Sequence, residues 1–220
     1  MSDLQTKKAF LFDLNGTMID DMDFHIVAWH DILNSLGANI SMQRMKEEAY
    51  GKNEEVVERI LPGRFSLEER QKMGYEKEKV YQAAFKPRLG LIPGLYTFLQ
   101  NAHHHKIPMA IGSAAITFNI DFVIDNLKLR SLFGAIVSAD DVTISKPHPQ
   151  TYLRCAEKLN FDPADCIVFE DAPKGVESAK NAGMKAVVIT TLHEPHEFDQ
   201  YDNVLMFIED YTDQRLIGLL

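Results

Sequence analysis

Four places in the chain carry residue types that can act on an oxyanion. They are Asp13 in Phe12-Asp13-Leu14-Asn15-Gly16-Thr17, Ser113 in Gly112-Ser113-Ala114-Ala115, Lys146 in Ser145-Lys146-Pro147, and the pair Glu170-Asp171 ahead of Ala172-Pro173. Taken singly, each has an ordinary reading: an Asn-Gly turn after a strand, a helix N-cap, a solvated lysine before a turn proline, and an acidic pair that favours a helix N-terminus. Taken together, a carboxylate, a hydroxyl, an ammonium and an acidic pair compose a site for a hard divalent cation and a phosphoryl group.

Joint action requires elements that bring these residues to one edge. Ala9 to Phe12 is a short apolar run with no charge until Asp13, which predicts a strand buried on both faces of a parallel sheet, with Asp13 at its carboxyl end. Gly16 lets the chain turn away, and Thr17 offers a hydroxyl beside the carboxylate. From Leu95 the pattern alternates: helix Leu95 to His105, strand Ile107 to Ile111, helix Thr117 to Leu127, strand Ala135 to Ser138, helix Gln150 to Leu159, strand Cys166 to Glu170, helix Lys174 to Ala182, strand Ala186 to Ile189. A last strand, Val204 to Phe207, and a last helix, Asp210 to Leu219, are expected after them. Such alternation means parallel βαβ units, hence a doubly wound α/β sheet whose carboxyl edge collects all four signals.

Between the first strand and this alternation lies a block with helical periodicity. Phe24, Val27, Ala28, Ile32, Leu33 and Leu36 recur at three- and four-residue spacing before Gly37. Ser41 to Ala49, Asn53 to Leu61 with Pro62-Gly63 behind it, and a run from the N-cap Ser66 towards Phe85 give three more helices. Residues 1–18 and 92–220 are therefore expected to form the α/β core, and residues 19–91 an α-helical cap with its linkers, inserted over the ligand edge.

The 220 residues, 45% of them hydrophobic, suffice for one large core and a satellite domain. A formal net charge of -9 argues against a general nucleic-acid surface, and two cysteines form no disulfide framework. The N-terminal stretch Met1 to Lys8 lacks a long apolar core, and no run approaches a membrane span. A soluble cytoplasmic monomer, with neither membrane nor nucleic-acid partners, is expected.

With these residues in view, the chain resembles the haloacid dehalogenase superfamily, in particular its β-phosphoglucomutase-like branch with a helical cap. Phe12-Asp13-Leu14-Asn15-Gly16-Thr17 is similar to that family's first motif, Ser113 to its second, Lys146 to its third and Glu170-Asp171 to its fourth. Phe24-His25 and Ala28-Trp29 on the first cap helix match a pattern of the same branch. The resemblance implies a Mg²⁺-dependent phosphohydrolase acting on a small phosphorylated metabolite through an aspartyl phosphate. Asp13 would be the nucleophile, and Mg²⁺ would be held by Asp13, the Asn15 carbonyl, Asp171 and Glu170, the last either as a ligand or as a holder of metal-bound water. Ser113 and the amides from Ala114 on would bind the phosphoryl group, Lys146 would offset its charge, and His25 and Lys52 would reach the substrate from the cap.

The chain departs from the resemblance at three points. Asn15 stands where phosphatases and mutases of the family carry a second aspartate, the acid and base of the reaction, and a carboxamide cannot exchange that proton. Either the residue is natural, with weakened or altered activity, or it is a deliberate Asp-to-Asn change that traps a complex; the second is preferred. Glu54 occupies the cap position of a phosphate-holding arginine, and no lysine or arginine follows Ser113 in Ala114-Ala115-Ile116-Thr117. These two losses favour hydrolysis over the mutase reaction, although Lys52 and Lys77 could compensate in part. A phosphosugar mutase and a non-catalytic binder of phosphorylated ligands are the alternatives.

Other features carry less. His103-His104-His105 reads as a solvated helix end, His148 as turn surface, and Met42, Met45 and Met73 as cap core. His25 has an equally good structural reading, as a partly buried ring packed on Trp29.

Overall fold

The computed structural model describes residues 8–220, so the stretch before Lys8 lies outside the described residues. The chain divides into two compact units, one of residues up to Asp20 with Gly90–Leu220 and one of Asp21–Leu89.

The first unit opens with β1 (Ala9–Phe12). The second unit follows with α1 (Met22–Ser35), α2 (Met42–Glu48), α3 (Asn53–Ile60) and α4 (Leu67–Phe85). The first unit then resumes with α5 (Leu95–His104), β2 (Met109–Gly112), α6 (Thr117–Asn126), β3 (Ala135–Val137), α7 (Gln150–Leu159), β4 (Cys166–Glu170), α8 (Pro173–Asn181), β5 (Lys185–Ile189) and β6 (Val204–Ile208). The six strands make one parallel sheet in the order β3-β2-β1-β4-β5-β6. From β1 the chain steps outward to β2 and β3, then returns to the other side of β1 and steps outward again. The strand order therefore reverses between β1 and β4, and doubly wound sheets bind ligands outside the strand ends at that crevice.

The β1 sequence explains its central place. Phe10 and Phe12 point to one face, where Phe12 stacks on Phe169 with ring centroids 4.6 Å apart and Phe10 stacks on Phe98 at 5.6 Å. Ala9 and Leu11 point to the other, into a cluster with Tyr152, Cys155, Val176 and Ala179 from α7 and α8. All four residues of β1 are buried, as the apolar run requires. At roughly 1.5–3 kcal/mol for each large apolar side chain taken from water, this two-sided packing makes β1 a stiff support for whatever follows it.

In the helical unit, Ile26, Trp29 and Leu33 of α1 pack with Met45 of α2 and Val56 and Val57 of α3. Ser41 caps α2 by accepting from the Arg44 amide, and Ser66 caps α4 in a reciprocal box with Glu69. A second, polar cluster joins α1 to α4. Tyr81 donates to Asp21 and lies stacked under His25 at 3.7 Å, while Lys77 donates to Glu78 and His25, both at 2.8 Å.

Two expectations need correction. The final helix is only a 3-10 turn, Gln214–Leu219, because the Asp210 and Asp213 carboxylates accept from the amides of Thr212 and Arg215, two residues further on, and so hold the chain in turns. Met42 is exposed at the start of α2, whereas Met45 is fully buried and Met73 packs against the same core. No helix among the described residues is long and apolar enough to cross a membrane.

Candidate active site

Asp13 is the first residue beyond β1, and its amide donates to the Phe169 carbonyl at 2.9 Å. Register pairs Phe12 with Phe169, so Asp13 and Glu170 leave neighbouring strands at the same level. Both carboxylates meet one ammonium: Lys146 Nζ lies 2.6 Å from Asp13 Oδ1, 2.6 Å from Glu170 Oε1 and 2.8 Å from the Tyr152 hydroxyl. Lys146 follows the loop after β3 and reaches across β2 and β1 to β4. The expectation that separate strand ends converge here holds for Asp13, Lys146, Glu170 and Asp171.

Close packing makes two glycines obligatory. Gly16 has φ +74°, and a Cβ there would lie 2.1 Å from Asp171 Oδ2. A Cβ on Gly175 would lie 1.8 Å from Glu170 Oε1. Thr17 donates to Asp171 Oδ1 at 3.1 Å, so the loop after β1 positions the second acidic residue as well as the first. That loop is itself tied down. The Gly16 amide donates to the Ile19 carbonyl at 2.8 Å, Thr191 donates to the Gly16 carbonyl at 2.6 Å, and Tyr211 donates to the Thr17 carbonyl at 3.0 Å.

Burial and crowding shape the charges. Burial pushes the Asp13 carboxyl up to about 7, with Lys146 pulling the other way and Glu170 adding to the rise. Asp171 is raised well above the usual carboxylate range by burial and by the charges of Glu170 and Asp13. Burial works against the Lys146 ammonium, but Asp13 and Glu170 outweigh it and hold the group above its ordinary value. Three buried carboxylates thus share a single lysine.

Glu170 uses its oxygens on protein donors. Oε1 accepts from Lys146 and Tyr152, and Oε2 accepts from the amides of Asp171 and Ala172. These four bonds make Glu170 the residue that positions Lys146. Among the described residues no three His, Cys, Asp and Glu side chains form a ready-made metal cluster. Ser113 follows β2 and is buried; its amide donates to the Val137 carbonyl and its Oγ accepts from the Ala115 amide, with Ala114 half-buried between them. Ser113 does not cap α6, since Ile116 holds that position. Asn15 is half-buried in the loop and bridges to Ile19.

The two candidates of the helical unit stand apart from this list. His25 is buried and stacked on Tyr81, with Asp21 Oδ2 3.2 Å from Nε2. Lys52 is half-buried at the N-cap of α3, where its amide donates to Glu55. Lys77, expected to stand in for a missing phosphate-binding cation, is buried and committed to Glu78 and His25.

Sequence reasoning missed Tyr152, Thr191 and Tyr211. A tyrosine on the apolar face of α7 reads as core, and only the structure shows its hydroxyl between Lys146 and Glu170. Thr191 had a usable signal, because it follows β5 at the same carboxyl edge as the other polar groups.

Comparison with known proteins agrees with this arrangement. The family profile described as haloacid dehalogenase-like hydrolase matches residues 10–189. The chain is 32% identical to the β-phosphoglucomutase of Bacillus subtilis (strain 168), over 82% of each protein. It is 29% identical to fructose-1-phosphate phosphatase YqaB of Escherichia coli (strain K12), over 84% of this chain and 97% of that one. The crystal structure of β-phosphoglucomutase from Clostridium difficile superposes with a TM-score of 0.84 at 25% identity, covering 96% of each chain. With Asp13, Lys146 and the acidic pair at the switch point of a doubly wound sheet, this chain belongs to the haloacid dehalogenase-like hydrolases.

Proposed function

We propose that the protein hydrolyses a small phosphorylated metabolite, of the sugar-phosphate class, through a phosphoryl group carried on Asp13. The observation that supports this most is the Asp13–Lys146–Glu170 triad at the crevice between β1 and β4. Lys146 occupies one Asp13 oxygen, and the other would attack phosphorus while the bond to the leaving oxygen breaks. Lys146 also offsets the charge that gathers on the transferred group. The Ser113 hydroxyl, held by the Ala115 amide, and the Ala114 amide would receive the phosphoryl oxygens. Water would then displace Asp13 from phosphorus.

The residues fit a hard divalent cation. Three buried carboxylates against one ammonium leave a local excess of negative charge, and Gly16 leaves room for Asp171 Oδ2 beside the loop. Asp13, Asp171 and the Asn15 carbonyl would hold Mg²⁺, which when bound supplies Lewis-acid stabilisation of the phosphoryl oxygens. Glu170 would act behind them, through Lys146.

Asn15 in the acid/base position leaves the leaving oxygen to take its proton from solvent, so turnover is reduced. Residues 19–91, as a cap, would carry substrate selection, with Lys52 and His25 as the residues to vary. The mutase reading is weaker, because Glu54 in the first turn of α3 has the wrong charge and Lys77 is already engaged.

Phosphate release should be compared for this chain and Asn15→Asp across sugar phosphates, nucleotides and pyrophosphate. A restored acid/base group should raise the rate roughly 10²–10⁴-fold with affinity nearly unchanged. If Asn15→Asp releases phosphate from no member of the panel with Mg²⁺ present, the protein is a binder of phosphorylated ligands instead.

A further inference from the structure

We infer that Asn15 is a deamidation site, and that its conversion to aspartate installs the acid/base carboxylate that the chain as synthesised lacks. The second half of the inference rests on the hydrolase reading; the first does not. Asn15-Gly16 is the only Asn-Gly dipeptide in the chain. Asparagine before glycine is the most labile arrangement, because no side chain obstructs attack by the following amide nitrogen on the asparagine carboxamide. Here the glycine is dictated by the site itself, since any Cβ at position 16 would collide with Asp171. The residue that the acidic pair requires is thus the one that makes Asn15 labile.

The chemistry balances without an oxidant or a cofactor. The Gly16 nitrogen bonds to Asn15 Cγ, the Cγ–N bond of the carboxamide breaks, and ammonia leaves, giving a five-membered succinimide. Water then opens the ring. Attack at Cγ breaks its bond to the Gly16 nitrogen and yields aspartate. Attack at the backbone carbonyl carbon yields isoaspartate, which puts an extra methylene into the main chain and would break the Asn15–Ile19 bridge. Net, a carboxamide and water become a carboxylate and ammonium. Half-buried Asn15 is within reach of that water.

The fold also sets the pace. Before it can attack, the Gly16 nitrogen must leave the Ile19 carbonyl, to which it donates at 2.8 Å, and Thr191 holds the Gly16 carbonyl at 2.6 Å from the other side. Conversion is therefore gated by opening of the loop after β1, slow in the closed loop and faster when that loop is released.

The test follows the full chain, held folded at mildly alkaline pH, by peptide mass mapping that separates aspartate from isoaspartate, with phosphate release measured on the same samples. Asn15→Asp and Asn15→Gln run beside it as the finished product and the slow-cyclising control. Asn15 should convert ahead of every other asparagine, and activity should rise towards that of Asn15→Asp in proportion to the aspartate fraction, while Asn15→Gln gains neither mass nor rate. Thr191→Val should speed conversion about fivefold, the equivalent of one lost hydrogen bond, and unfolding in urea should speed it further. An Asn15 that stays amidated, converts no faster than its peers or yields only isoaspartate overturns the inference, and an unchanged rate in both Thr191→Val and urea overturns the gating. If aspartate forms at position 15 but neither the aged chain nor Asn15→Asp releases phosphate, the hydrolase reading fails and the deamidation site remains.

Discussion

The molecule contains two buried polar clusters, and they balance their charges differently. In the first unit, Asp13 and Glu170 share Lys146 while Asp171 beside them is bonded to Thr17, and burial with mutual repulsion raises Asp13 and Asp171. In the helical unit, Asp21 and Glu78 face Lys77, His25 and the hydroxyl of Tyr81, and Glu78 also accepts from Asn53 at 2.8 Å. There burial opposes the charge of Glu78, yet Lys77 and His25 hold its carboxyl below the usual range. A cluster in which each carboxylate is bonded to a cation or hydroxyl serves structure, whereas one with surplus carboxylates is less stable alone and waits for positive charge. The difference marks the first cluster as the place for cation and phosphoryl chemistry.

The hardest way to break this comparison is to remove the nucleophile. In the Asn15→Asp background, Asp13→Asn should lower turnover roughly 10⁴–10⁶-fold, as loss of a covalent nucleophile does elsewhere. Acid-quenched protein should then carry no covalent phosphate. Retained turnover would show that Asp13 is not the attacking group.

The lysines come next. Lys146→Met strands two carboxylates and Glu78→Gln strands Lys77, and each should destabilise the metal-free protein by about 3–5 kcal/mol in thermal or urea unfolding. Acid separates the two. Glu78 has a folded-state pKa below its unfolded value, so between the two the unfolded chain binds more protons, and the stability Glu78 contributes is present above the usual glutamate range and lost as pH falls through the depressed value. The gap between the wild-type chain and Glu78→Gln should therefore close as pH falls below about 4.3. A gap that stays constant with pH would mean that Glu78 is not stabilised by its charge.

Much of this was legible in the sequence because it depends on short-range chemistry. Uncharged runs ending at Asp13, Ser113 and Glu170 announced parallel strands, and the carboxyl-edge rule then put their polar termini together. What remained hidden depends on which atoms meet. Four donors converge on Glu170 only because α7 brings Tyr152 over β4 and α8 opens with Gly175, and no periodicity encodes that. The final turn was misread for a related reason: a helix over Asp210 to Leu219 was expected after the last strand, but the Asp210 and Asp213 side chains accept from the amides two residues on. His25 and Lys77 looked available for substrate, and their mutual bond is visible only once α1 and α4 are packed.

The smallest effect is also the sharpest test of surplus against balance. Replacing a carboxylate bonded to its own cation should cost stability, whereas replacing one in a surplus cluster should add it. Asp171→Asn keeps the side-chain size and an oxygen for Thr17, and removes one of three crowded negative charges. In chelator, this variant should be more stable than the wild-type chain by about 1 kcal/mol, the common gain when a functional site is relieved of strain. With Mg²⁺ the order should reverse. A cation at a hundredfold excess over its Kd stabilises a protein by about 2.7 kcal/mol, and the variant, with a neutral ligand in place of a hard anionic one, should gain much less. Paired thermal unfolding curves in chelator and in Mg²⁺ read both signs, and calorimetry reads the affinity directly. If Asp171→Asn is destabilised without metal and binds Mg²⁺ as the wild-type chain does, Asp171 belongs to the structural kind of cluster and the cation sits elsewhere.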